Sequence, residues 1–211
     1  MVAREGLVAE ASAAWSAALA ALGFVKRSGD ISTRPVAKDV LGWLGLNRAV
    51  NRADALLEVN PVIGVRHQEL ERIVAELLGQ KFHRYNPPTI SIHLGYLMPE
   101  GRYRPWLFGD EKPVSDAASE MVQAIDAYGG GFMNKNASLE TIVAAMEDSQ
   151  VGIAEQLAFR RPVGYLLLGD LGRARDAVQV SLERLGDRRD PAAQRFRSFA
   201  AAFEEQLARS A

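Results

Sequence analysis

Along the first half of the chain the apolar positions change rhythm several times, and each change predicts a new element. Over residues 3–22, Leu7, Val8, Ala11, Trp15, Ala18, Leu19 and Leu22 recur at helical spacing, which predicts an amphipathic helix. Gly23 follows where a left-handed terminating residue belongs. Phe24 to Arg27 and Ile31 to Arg34, joined by Ser28-Gly29-Asp30, have the form of a β-hairpin. Residues 40–46 and 56–65 are apolar enough for two more strands, with the polar stretch 47–54 as their loop. In the second of these, Leu57, Val59, Ile63 and Val65 share one face, while Glu58 and Asn60 take the other. Pro61 has no N–H for a ladder and implies an edge, a bulge or a break. From His67 the period turns helical, with Leu70, Ile73, Val74, Leu77 and Leu78 as a stripe that stops at Gly79.

After the breaker Asn86-Pro87-Pro88, Ile90, Ile92, Leu94 and Tyr96 alternate with Ser91, His93 and Gly95, the cleanest two-residue rhythm in the chain. It predicts a strand to Tyr96, a turn at Pro99-Glu100-Gly101, and residues 102–108 as the partner strand. From Pro113 onward the rhythm is helical. Ser115 or Asp116 opens a helix to Tyr128 that Gly129-Gly130-Gly131 ends, and Asn136 or Ser138 caps the next one to Met146. Helices over 151–168 and 170–185 follow, and Asp190-Pro191 opens the last. The expected fold class is α+β: an N-terminal helix plus antiparallel sheet, followed by an antiparallel helical C-terminal half. The regions are 1–110 and 111–211, as two parts or one continuous domain.

The segment Tyr165-Leu166-Leu167-Leu168-Gly169-Asp170-Leu171-Gly172-Arg173-Ala174 resembles the helix–turn–helix junction of a tetratricopeptide repeat, in which a tyrosine and a small residue bracket the turn. The resemblance covers residues 150–185 and lacks the early tryptophan and closing proline of the full repeat. A single helical hairpin accounts for the same residues.

Composition narrows the classes. The 211 residues are 48% hydrophobic and 24% charged, enough for a normal core. With 25 basic and 26 acidic side chains the net charge is -1, so no overall field draws the molecule to nucleic acid or an anionic membrane. The absence of cysteine excludes disulfides, thiolate catalysis and cysteine zinc sites. The Ala-rich start carries Arg4, Glu5 and Glu10 in place of a continuous apolar signal segment, and no stretch reaches the ~20 apolar residues of a membrane span. A protein of the bacterial cytoplasm is expected.

Candidate chemistry is sparse. His67, His83 and His93 lack metal-ligand spacing, so no metal is expected; His93 with Glu58 or Glu71 is the first place to look for a site. Glu69, Glu71 and Glu76 are expected on the polar face of a helix beside Arg72. There is no nucleophile elbow, Walker loop or dinucleotide fingerprint, and neither a cofactor nor a catalytic residue is assigned. The triple glycine is expected to act as a hinge in preference to an anion cradle. Lys81-Phe82-His83-Arg84-Tyr85 and Arg102-Tyr103-Arg104-Pro105-Trp106 interleave basic and aromatic residues, for which burial against the helical half is the simpler account than nucleic-acid stacking. Arg160-Arg161 is expected at a solvated helix end.

Two functions follow from this. The favoured one is a protein-interaction or regulatory module whose sheet face carries Trp43, Tyr96 and Trp106 near arginines, with a protein partner and neither nucleic acid nor membrane. The rival is a small-molecule-binding protein or enzyme with a pocket between sheet and helices. Its lining would be Glu58, Asn60, Arg66, His67 and His93, with Tyr96 and Trp106 as walls.

Overall fold

The computed structural model describes residues 2–50, 56–109, 112–148 and 150–210. In chain order the elements are α1 (Val2–Ala21), β1 (Val25–Ser28), β2 (Ile31–Ala37), β3 (Val40–Val50), β4 (Leu57–His67), α2 (Gln68–Leu77), β5 (Ile90–His93), α3 (Leu94–Leu97), β6 (Trp106–Phe108) and α4 (Val114–Ala124). A π turn (Ile125–Gly129) then leads into α5 (Gly130–Lys135), followed by α6 (Leu139–Ala145), α7 (Ala154–Leu167), α8 (Leu171–Leu185) and α9 (Pro191–Ser210). The fold is α+β: a helix, a six-stranded antiparallel sheet, then a helical C-terminal half. Among the described residues no helix is long and apolar enough to cross a membrane. The chain divides into two compact units, residues 1–65 with 91–135, and residues 66–90 with 136–211.

In the first unit α1 buries Ala11, Trp15 and Leu19, and it ends as expected at Gly23, whose φ of 80° suits glycine. Strands run in the order β1-β2-β3-β4-β5, and β6 also pairs with β4. The β1–β2 hairpin forms around Gly29, and β3 continues to Val50, so the first part of the predicted 47–54 loop is strand. Residues 51–54 of that loop lie outside the described residues. β4 is an interior strand despite Pro61. Its far edge is shared by two short strands, and Pro61 lies beyond Val59, the last residue paired to β6, where a missing N–H is tolerated.

Two expectations about β5 and β6 are corrected. β5 stops at His93 and the chain turns into α3, because Gly95 packs against the backbone of residues 102–104. Trp106 to Phe108 pairs with β4 and not with the preceding strand, in the register Leu57↔Phe108, Glu58↔Leu107 and Val59↔Trp106. Leu57, Val59, Ile63 and Val65 are buried as the alternation requires, and Phe108 packs edge-on against Trp15 with ring centroids 5.4 Å apart. The triple glycine does not end the helix. The π turn carries the helix through it, and a Cβ on Gly129 would stand 2.9 Å from Cδ1 of Ile63, so the glycine admits the sheet.

In the second unit α2 presents its stripe as predicted, with Leu70 and Val74 buried and Gly79 closing the helix at φ 62°. Ser138 and Thr141 make a reciprocal capping box on α6. α7 and α8 form a helical hairpin that turns at Gly169, and α9 follows. Phe159, Phe196, Phe199 and Phe203 form its aromatic core, with the Phe159 and Phe199 centroids 5.1 Å apart and edge-on.

Two aspartates cap the last helices. Asp170 accepts from the Arg173 N–H at 3.0 Å, and Asp190 accepts from the N–H groups of Ala192 and Ala193, each at 3.1 Å. The Arg173 backbone hydrogen bond holds Asp170 below the ordinary aspartate pKa, and the Arg188 side chain does the same for Asp190. A carboxylate lowered on folding adds stability in full above its unfolded pKa and loses it as pH falls through the lower folded value. Asp170→Asn keeps the cap but cannot titrate. We expect it to flatten the acid limb of unfolding temperature against pH, below about pH 4, relative to the parent.

Candidate functional site

Alternation along β3 and β4 sorts the site residues by face. Ile63 of β4 meets Gly129 and Gly42 of β3 lies against Met133, so those positions look towards the helices of the first unit. Glu58 and Asn60, and Trp43 on β3, therefore belong to the opposite, outer face. Trp43 is nearly buried there and lies along its own strand, where a Cβ on Gly45 would stand 2.4 Å from its Cη2. Gly45 is thus the seat of the indole.

His93, the last residue of β5, reaches Asn60 on the neighbouring strand, Nδ1 to Nδ2 at 3.1 Å. The Asn60 amide and the His93 ring are thus tied to each other across the two strands. The His93 ring then stands between two tyrosines, edge-on to Tyr96 at 6.3 Å and to Tyr103 at 6.2 Å between centroids. The Tyr103 hydroxyl donates to Oε1 of Glu58 at 2.7 Å. That hydrogen bond raises the phenol's pKa, with burial and the carboxylate charge adding to it and the Asn60 amide opposing. The phenol therefore stays protonated, which suits a fixed hydrogen-bonding group and not a proton acceptor. Outward from this cluster stand Tyr96, Tyr103 and Leu107, exposed by 41%, 48% and 42%, large side chains that water leaves uncovered by protein.

Of the eight residues expected from sequence, Glu58, Asn60, His93 and Tyr96 come together, and Trp43 shares their sheet face. Trp106 does not join them. Its register partner is Val59, a core-facing residue, so its ring is buried with Arg104 over it at 5.3 Å. Arg66 and His67 belong to the second unit and have other roles. His67 caps α2, its Nδ1 accepting from the Leu70 N–H at 3.2 Å. Arg66 is 1% exposed and its guanidinium donates to the carbonyls of His83, Arg84 and Pro87, holding the segment after α2 in place.

Glu71 and Arg160 correct two sequence expectations. Neither lies on a solvated face: Glu71 is 5% exposed and Arg160 4%. Glu71 accepts from Nε of Arg160 at 2.7 Å and stands 3.2 Å from Arg66, so one carboxylate serves two buried guanidiniums. Burial pushes the Arg66 pKa down to about 10 against the pull of Glu71.

Tyr103 and Leu107 were missed from sequence. Tyr103 sits in a basic–aromatic cluster that composition marks without assigning a face. Leu107 alternates with Trp106 and Phe108, so the strand period was enough to turn it outward once the inward pair is known. Compared with protein-family models, with curated proteins and with solved structures, the chain matches none.

Proposed function

We propose that this protein is an interaction module that binds a protein partner through the outer face of its sheet. The reading rests on one observation: Tyr96, Tyr103 and Leu107 stand exposed around His93, Asn60 and Glu58 on one face. Tyrosines carry large contact area at small entropic cost, and a rigid hydrogen-bonded base below them limits that cost further. Glu58 holds the Tyr103 ring and Asn60 the His93 ring, against which Tyr96 packs, while the imidazole and the tyrosine hydroxyls supply polar contacts around an apolar centre.

The test compares the parent with the double variant Tyr96→Ala/Tyr103→Ala, both used as bait in lysate from the cells that express the protein. Both side chains are exposed, so the variant's unfolding temperature is expected to stay near the parent's. The parent should retain a discrete protein that the variant loses, with affinity falling about tenfold or more per ring. Equal retention by both, or no retained protein with either, refutes the reading.

A further inference from the structure

Buried charge in the second unit does not balance. Glu71 lies between Arg66 and Arg160, and all three side chains are nearly sealed from water, with 2–5% of their surface exposed. One carboxylate neutralises one guanidinium, so the cluster keeps one buried positive charge. Arg66 disperses its share over three backbone carbonyls. Arg160 has less help: Nε and Nη2 donate to Glu71 and Nη1 to Gln156, leaving one N–H on each terminal nitrogen without a partner among the described residues.

Arg160 also lines a cavity of about 360 Å³, within the usual range for a small ligand. The same cavity is lined by Lys81 and Arg195, against which Glu155 is the one acid beyond Glu71. Its apolar wall includes Phe159, with the Arg195 guanidinium over the ring at 5.5 Å. The walls thus combine an excess of cations, unspent guanidinium donors and an aromatic surface. We propose that this cavity binds a small molecule bearing one oxyanion, a carboxylate or a phosphate, held by Arg160 with Arg195 beside it and its apolar part against Phe159. Such an anion would complete the charge pairing that Glu71 leaves half done. The inference concerns the second unit and is independent of the partner-binding face.

Thermal unfolding of the full chain, titrated with inorganic phosphate and with benzoate against chloride at equal ionic strength, tests it. A saturable rise in unfolding temperature is expected with at least one of them, since a ligand of the folded state stabilises by mass action. A response to phosphate alone assigns a phosphorylated ligand, to benzoate alone an aromatic carboxylate, and to both the shared oxyanion. Arg160→Gln should abolish the rise. Because that variant alters a buried cluster, the exposed Arg195→Ala serves as the second: it should leave the ligand-free transition in place and weaken the response about tenfold, as for one lost charge-assisted hydrogen bond. Absence of a saturable rise with either probe, or an unchanged response in Arg195→Ala, overturns the proposal.

Discussion

Replacing Glu71 by glutamine is expected to be the most damaging single change in the helical unit, costing about 3–5 kcal/mol. The amide keeps the shape of the side chain and removes its charge. Arg66 and Arg160 would then face each other across a neutral group, each nearly sealed from water. Such a loss is a large fraction of the roughly 5–15 kcal/mol that holds a domain folded. In urea the midpoint should fall steeply, with the slope preserved if unfolding stays cooperative. Arg160→Gln is the informative contrast, because it leaves a neutral Arg66–Glu71 pair and sheds the surplus charge. Its cost should be clearly smaller. If the two variants lose equal stability, counting charge is the wrong account of this cluster and hydrogen bonding or packing is the better one.

Gly95→Ala is expected to disable the sheet-face site while leaving most of the fold intact. A methyl carbon there would stand 2.3 Å from the Arg102 carbonyl oxygen and 2.8 Å from the Arg104 nitrogen. Both are backbone atoms, so no side-chain rotation relieves the clash and residues 102–104 must move. A cost of about 1–3 kcal/mol is typical of overpacking. The functional cost should be larger, because Tyr103 lies inside the displaced segment and would leave Glu58. A spectrophotometric titration of the phenols reads this directly. In the parent, Tyr103 and Tyr165 titrate above the ordinary tyrosine range, Tyr103 through its bond to Glu58 and Tyr165 mainly through burial. The variant should retain only the Tyr165 anomaly. Two raised phenols in the variant would mean that Tyr103 had not moved.

Local signals account for what the amino-acid order disclosed. The first helix, its glycine stop, the hairpin and the caps Ser138 and Asp190 each depend on neighbours within a turn or two, which periodicity and cap chemistry report. Alternation on β4 likewise put Glu58 and Asn60 together on one face, and His93 with Tyr96 belonged to the next rhythmic stretch. What stayed hidden depends on register and distant pairing. Trp106 points inward because it lies opposite Val59, a fact of strand pairing that its own surroundings do not encode. Glu71 and Arg160 are 89 positions apart, and each taken singly has the look of a surface charge on an amphipathic helix. Gly129 resembled a helix stop, but its lack of a side chain is used to let Ile63 approach. Leu94 and Tyr96 continued a strand rhythm, yet the close packing of Gly95 against the returning chain bends that stretch into a helical turn.

If the sheet face binds a partner as proposed, the divided edge of β4 bears on how its preference can change. β5 and β6 dock one after the other on the same long strand, so the chain between them, residues 94–105, leaves the ladder and comes back to it. Tyr96 and Tyr103 ride on that excursion, while its two ends are clamped by backbone hydrogen bonds indifferent to side-chain identity. On the proposed reading, only the outward positions such as Tyr96 and Tyr103 are open to exchange for another target, while buried Leu94 and closely packed Gly95 hold the segment to the core.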